Sequence, residues 1–446
     1  MQSINNAVGV TKQTKSSGWL KLPPVLLPSC RHIRHHGVLS MHWPIKSPFK
    51  TRCSATDPSR TADDHKREYP YLRIVRRTRR FPNEEWTGYS ESHKYQDRIK
   101  AMKHQSCSIL VVGLGKMGLS HFAIASALCK RSSLAVVEPT RFVRRYLSRT
   151  TPEVCLYDSV GRALEQRDFS HAIVATPPDT HFDIAKQLLL HRINVLVEKP
   201  TTASLRDTFR LRELQQSTDA VVATGYVNRH NPVFVHVKEV IGSGRIGSIR
   251  RIKSEMRGSV VTKPINGGWR GHAELGGGCL YEYGAHAADL ITYFGSPCYR
   301  VSDASGRNIA SRQGHDEISA KMELQGGVIA EMYVNWSDPT KRKASNTVEV
   351  IGTHGWIKAN KSELTVSEEH NGSPRNSYTT MVDLAASKPL DYYLRGEDFT
   401  LQMVQFLQTG PGAAGGPKLL SDLDTAIESE RILDLIQQKV HKDGTR

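Results

Sequence analysis

The sequence has no uninterrupted apolar run near the ~18 residues a membrane-crossing helix needs, no Cys-x-x-Cys pair, and no acidic residue in its first 56 positions. The first absence excludes a helical membrane span, so no membrane partner is expected. The seven cysteines are odd in number and lack redox or zinc spacing. A disulfide scaffold is therefore excluded, and the thiols suit a reducing compartment. Cys30, His32, His35 and His36 are too crowded for a tetrahedral site, so no metal is expected. What is present is a 446-residue chain that is 38% apolar, enough for two or three domains with real cores.

The net charge of +17 is placed unevenly. Residues 1–105 carry +12 of it and the remaining 341 residues only +5. Residues 1–56 hold eight Lys or Arg among many Ser, Thr, His and Pro. That composition fits a disordered extension or an organellar transit segment. The expected compartment is the cytoplasm, or an organellar matrix if residues 1–56 are a transit segment. The run Arg73-Ile-Val-Arg-Arg-Thr-Arg-Arg80 could touch phosphates or simply be solvated. Tyr71, Phe81 and Trp86 flank it without forming a repeated stacking platform, and no nucleic-acid partner is expected. Residues 1–105 are read as a basic extension dispensable for chemistry.

At residue 107 the texture changes. Ser108-Ile-Leu-Val-Val112 is a short apolar run of the kind buried in parallel sheets. It leads into Gly113-Leu114-Gly115-Lys116-Met117-Gly118 and then a helical pattern through Met117, His121, Ile124, Ala125 and Leu128. Gly113 permits a tight turn, Gly115 lets backbone approach a pyrophosphate, and Gly118 lets the helix pack close. A second apolar run, Leu134–Val137, ends at Glu138, where an acid would accept from an adenosine ribose. Further strands end in Thr176-Pro177-Pro178, before His181, and in Glu198-Lys199-Pro200. Residues 106–226 thus read as a doubly wound parallel sheet binding NAD. NADP is disfavoured by Glu138, with Arg141 the counter-argument.

Residues 227–446 read as a second α/β domain with an open, largely antiparallel sheet. Ile318–Leu324 and Ala330–Trp336 alternate around Gly326-Gly327 as a hairpin, and Thr347–Ile351 with Trp356–Ala359 suggests another. Ser421 with Asp424 is read as a capping box opening a final helix. After Gly276-Gly-Gly278, a helix would place Glu282, His286 and Asp289 on one face. Such a carboxylate can tune an acid–base imidazole. A capped helix with a core histidine and a surface aspartate is the bland alternative.

Together these motifs resemble the Gfo/Idh/MocA family of oxidoreductases. They are Gly113-x-Gly115-x-x-Gly118, Ala175-Thr-Pro-Pro178 with His181, Glu198-Lys-Pro200, Gly225-Tyr-x-x-Arg229-x-x-Pro232, Trp269-Arg270, and Gly276-Gly-Gly-x(3)-Glu282-x-Gly-x-His286-x-x-Asp289. The likeness runs from about residue 107 to 440. It implies a Rossmann domain followed by an α/β domain whose open sheet makes a homodimer or homotetramer. It implies NAD(P)-linked chemistry on a sugar, cyclitol or sugar derivative. Lys199 matches the family's active-site lysine and His286 its acid–base histidine, with Glu282 standing where aspartate is usual. His230 replaces a usual phenylalanine. Thr176, Pro177, His181 and Glu198 are expected at the cofactor, and Arg229, Trp269, Arg270 and Asp289 at the substrate.

The leading expectation is hydride transfer between NAD and a carbohydrate hydroxyl or ketone. An NAD-retaining glycosidase of the same fold and a non-catalytic dinucleotide sensor are the alternatives. Lys199 and His286 speak against the sensor.

Overall fold

The computed structural model describes residues 107–444 apart from 265–269, 271, 273–276, 312–313, 371–372, 382–396 and 411–417. The readings of residues 1–105, and that of Trp269, fall outside the described residues.

Six short strands form a fully parallel sheet: β1 (Ile109–Val112), β2 (Leu134–Val137), β3 (Cys155–Tyr157), β4 (His171–Val174), β5 (Asn194–Val197) and β6 (Val222–Thr224). Their order is β3-β2-β1-β4-β5-β6, the Rossmann arrangement. All but β3 of these strands are buried at every position, as strands covered on both faces must be. Ile109 and Val111 pack into one core and Leu110 and Val112 into the other. Helices α1 (Lys116–Leu128) and α2 (Arg141–Thr150) cover the first face. Helices α3 (Val160–Gln166), α4 (His181–Leu190) and α5 (Leu205–Gln216) cover the second.

The register places the site. Val112 lies level with Val137 and Val174, and Val174 with Val197, which lies level with Thr224. The next residues, Gly113, Glu138, Ala175, Glu198 and Gly225, therefore form one row along the carboxyl edge. Backbone bonds extend the ladder into that row, from Glu198 N to Val174 O at 2.9 Å and Gly225 N to Val197 O at 2.7 Å.

After α6 (Pro232–Gly242), an eight-stranded sheet is built from β7 (Ile249–Arg257), β8 (Cys298–Arg307), β9 (Glu317–Leu324), β10 (Ile329–Asn335), β11 (Ser345–Gly352), β12 (Gly355–Asn360), β13 (Glu363–His370) and β14 (Ser373–Met381). The order is β14-β13-β12-β11-β7-β10-β9-β8, antiparallel except for the parallel β7–β10 pair. The expected hairpin is β9–β10, with Ala330 opposite Met322 and Val334 opposite Ile318. One face of this sheet buries Ile252, Met322, Met332 and Val350 beneath α7 (Ala285–Phe294) and the last helix.

The C-terminal part of the chain returns to the first sheet. In α8 (Glu397–Leu407), Met403, Val404, Phe406 and Leu407 join the core of Ile109 and Val111. The final helix, α9, spans Leu423–Gly444. Its capping box is Asp422 with Thr425, not Ser421 with Asp424. Thr425 N donates to Asp422 Oδ1 at 2.9 Å, and Asp422 N donates to Thr425 Oγ1 at 3.0 Å. Ser421 is one residue too early, because its hydroxyl is buried against Thr224 Oγ1 at 2.5 Å.

Candidate active site

The glycine turn has the shape a pyrophosphate needs. Gly113 lies at φ +87°, where a Cβ would also meet Ala175 O at 3.0 Å. A Cβ on Gly118 would lie 1.9 Å from Gly113 O, so α1 can pack on the turn only without a side chain. Gly115 is the opposite case: a Cβ there would meet nothing within 4 Å. Its bareness serves no packing purpose, and the open space lies at the first turn of α1, where unpaired N–H donors favour an anion. Leu114 is buried, Lys116 is exposed and Met117 lies between. Glu138 is buried at the end of β2 and accepts from Leu114 N at 3.3 Å and Thr140 N at 2.9 Å. Its carboxylate is thereby fixed beside the turn. The donor and acceptor set fits a dinucleotide carrying a free 2′-hydroxyl.

Thr176 and Pro177 follow β4 on the same edge. His181 was expected at the cofactor, but the structure buries it as a strut. Its Nε2 lies 2.8 Å from Thr176 O and its Nδ1 3.0 Å from Pro200 O. It ties the β4 loop to the residue after Lys199. Burial holds its pKa below the ordinary histidine value.

Glu198 and Lys199 end β5, and the Lys199–Pro200 bond is cis. Lys199 Nζ donates to Glu282 O at 3.1 Å and pairs with Glu282 Oε2 at 3.3 Å. Arg270 Nε takes Glu282's other oxygen at 2.9 Å. Burial opposes the Glu282 charge, but Lys199 and Arg270 outweigh it and hold the carboxyl below its usual range. Glu282 was expected to orient His286 or to bind a substrate hydroxyl; in the structure it pairs with Lys199 and Arg270. It lies in a π turn, Leu280–Gly284, at the start of the helix that carries His286. His286 Nδ1 is buried and has no hydrogen-bond partner among the described residues. Burial, then the ammonium groups of Lys199 and Lys361, push the His286 pKa well below the ordinary value. Both causes favour the neutral ring.

Arg229 and Asp289, expected at the substrate, meet each other instead. Arg229 Nε lies 2.7 Å from Asp289 Oδ1, and its other nitrogens reach Leu420 O and Thr292 Oγ1, both at 3.3 Å. Asp289 is fully buried and Arg229 only 5% exposed. A guanidinium held by three protein acceptors ties the turn Val227–His230 after β6 to α7 and to Leu420. Asp289 also accepts from Ser429 Oγ at 3.2 Å, and burial raises its pKa despite these partners.

Two contributors escaped the sequence reading. Glu430 is buried and accepts from Thr201 N at 2.6 Å, Thr208 Oγ1 at 2.7 Å and Tyr226 OH at 3.3 Å, clamping the loop after Lys199 from α9. The signal was an acid on the apolar stripe of Ile427 and Leu433. Lys361, paired with Asp398 at 2.7 Å, adds a second cation near His286; nothing in the pattern of the β12–β13 turn announced it. No group of three or more His, Cys, Asp or Glu among the described residues could hold a metal ion. No helix among them is long and apolar enough to cross a membrane.

Comparison with known proteins agrees with this geometry. Residues 107–226 match the oxidoreductase-family NAD-binding Rossmann fold of Gfo/Idh/MocA, and residues 234–358 match the GFO/IDH/MocA C-terminal domain. An uncharacterised oxidoreductase of Synechocystis is 23% identical over 211 residues, 47% of this chain and 57% of that protein. The dTDP-3,4-didehydro-2,6-dideoxy-alpha-D-glucose 3-reductase of Saccharopolyspora spinosa is 27% identical over 230 residues, 50% of this chain and 67% of that protein. The chain spans about half the length of the first curated relatives it matches. Among solved structures, levoglucosan dehydrogenase in complex with NADH and levoglucosan superposes with a TM-score of 0.65 at 18% identity, covering 75% of this chain and 96% of that one. With a Rossmann unit shaped for NAD, a second mixed sheet, and both domain matches in chain order, the chain belongs to the Gfo/Idh/MocA family of NAD-binding oxidoreductases.

Proposed function

We propose that the protein transfers hydride between NAD and a secondary hydroxyl, or the corresponding ketone, of a sugar, cyclitol or sugar derivative. The observation that carries this reading is that Lys199, at the carboxyl edge of the NAD-binding sheet, is anchored by Glu282, while its ammonium, after burial, helps push the pKa of buried His286 down. When bound, NAD supplies the hydride acceptor or donor. Oxidising an alcohol also requires removing the hydroxyl proton, and the neutral His286 ring is suited to take it. Lys199 donates to the same oxygen and stabilises the alkoxide charge that develops. Glu282 holds the ammonium in place from one side and ties it to Arg270. In the reverse direction, protonated His286 returns the proton to a ketone oxygen that Lys199 polarises.

The curated reductase and the structural neighbour both act on carbohydrates by name, which supports the substrate class. The open face of the second sheet is offered as the assembly surface of a homodimer or homotetramer. It carries cross-strand ion pairs, such as Arg251 with Glu331 at 2.6 Å. Screening NAD reduction across sugars, cyclitols, uronates and nucleotide sugars tests the reaction class, and light scattering tests the assembly. Turnover of a carbohydrate with stoichiometric NADH supports the reading. Glycosidic cleavage without net NADH would replace it.

A further inference from the structure

One side-chain bond links the helix that carries the glycine turn to the strand end that carries Lys199. His121, on α1, lies 2.7 Å through Nε2 from Glu198 Oε1. His121 is 1% exposed and Glu198 7%. Glu198's other oxygen accepts the backbone N–H of Lys199 at 3.2 Å. His121 Nδ1 has no partner among the described residues, so the ring's one engaged nitrogen is spent on Glu198. Phe399 meets the ring edge-on at 6.2 Å. On the far side, a Cβ on Gly225 would lie 2.9 Å from Glu198 Oε2 and 2.8 Å from Lys199 N, so only a glycine there leaves room for the carboxylate and the Lys199 backbone to meet. Burial opposes the Glu198 charge, but the His121 hydrogen bond, with Lys199 nearby, outweighs it and keeps the group a carboxylate.

We infer that His121 is a positioning residue for Lys199. Its Nε2 proton fixes Glu198, Glu198 fixes the peptide N–H of Lys199, and the root of the lysine is thereby locked to the helix that receives the dinucleotide. The catalytic consequence rests on the proposed role of Lys199; the mechanical link does not. Without the donor, Glu198 keeps a single hydrogen bond in a buried place. It then takes up a proton or turns away, and the Lys199 backbone loosens.

The test reads the Lys199 ammonium directly. The full-length protein, without substrate, is acetylated with limiting sulfo-NHS-acetate, and labelling is resolved by peptide mass spectrometry with exposed Lys358 as internal reference. His121→Phe keeps ring volume and the Phe399 contact but has no donor. Its Lys199 is expected to label about fivefold faster than wild type, as the loss of one charge-assisted hydrogen bond implies. His121→Gln restores a donor at the Nε2 position and is expected to return labelling to within about twofold of wild type. If His121→Phe does not fold, Glu198→Gln is read the same way, since it places an amide where two donors converge. Unchanged Lys199 labelling overturns the inference. So does a uniform rise at all lysines, or a His121→Gln protein that labels as fast as His121→Phe. Because no substrate is used, a failure here leaves the reaction class untouched, and an absence of sugar turnover leaves this result standing.

Discussion

Lys199 and Glu282 are 83 residues apart in the chain, one just past β5 and the other in the π turn before α7, yet the ammonium lies 3.3 Å from the carboxylate and 3.1 Å from the carbonyl of the same residue. Their side chains are 12% and 20% exposed, so the pair is largely removed from water. Two bonds to one residue of the π turn hold the ammonium in place.

That arrangement predicts a graded response at position 282. Glu282→Asp, which restores the family's usual residue, should keep most of kcat. Glu282→Gln keeps the shape but removes the charge that faces Lys199 and Arg270. It should lose roughly tenfold or more in kcat with NAD affinity unchanged. Steady-state kinetics with separate NADH fluorescence titrations check both. Equal rates in the two variants would detach Glu282 from Lys199's function.

The glycine turn separates packing from binding. Gly118→Ala places a Cβ 1.9 Å from Gly113 O and should destabilise the fold. Gly115→Ala meets nothing in the protein and should shift Tm by no more than about 1 °C. If the space above Gly115 receives the pyrophosphate, the same change should weaken NAD binding by about tenfold or more. Calorimetric Tm and NADH titration on the two variants decide it.

Glu138 should make NAD the preferred cofactor. Its carboxylate is held by Leu114 N and Thr140 N and would repel a 2′-phosphate. Glu138→Ser should lower kcat/KM with NAD and raise it with NADP, narrowing the ratio by about tenfold or more. The guanidinium expected to help is Arg144 as much as Arg141, since Arg144 Nη1 already reaches Glu138 O at 2.5 Å. Equal efficiency with the two cofactors in the wild type would contradict the assignment.

Burial makes acid a specific threat to the fold. His230 is buried and its pKa is pushed down to about 4, chiefly by desolvation. The unfolded ring takes a proton near pH 6.5, while the folded one refuses it until about pH 4. Stability is thus lost as pH falls through that window, on the order of 2 kcal/mol by pH 5 from this group alone. His230→Phe should flatten the fall of Tm between pH 7 and pH 5. Gln405 Oε1, His230's partner at 3.0 Å, would still accept from Leu420 N at 3.0 Å, so no acceptor is orphaned. A parallel Tm profile in the variant would show that other groups, such as His171, set the acid limit.

Much of this was legible from local pattern. The apolar runs at Ile109–Val112 and Leu134–Val137 are strands because nothing but a doubly covered sheet buries them. The alternation through Met322 and Ala330 marked the hairpin of β9 and β10. Glu198-Lys199 at a strand end was equally plain. What was hidden depends on contacts across long separations. Arg229 and Asp289 carry charges that suit a ligand, and only the packing of α7 against the turn Val227–His230 shows that they pair with each other. The π turn has no sequence signature in a glycine-flanked helix start. His121 and Glu430 sit on apolar helix faces, where a polar residue is the visible clue and its distant partner is not.

In the proposed reaction His286 handles the hydroxyl proton and Lys199 the charge that develops on the same oxygen. The most direct measurement is kcat for His286→Ala on the carbohydrate that the wild type oxidises, with NADH affinity measured on the same preparation. The expected result is a loss of about 10²–10⁴-fold in kcat, NADH affinity within about twofold of wild type, and at least as large a loss for Lys199→Met. A His286→Ala enzyme that keeps near-wild-type kcat would contradict it and pass the proton to another group.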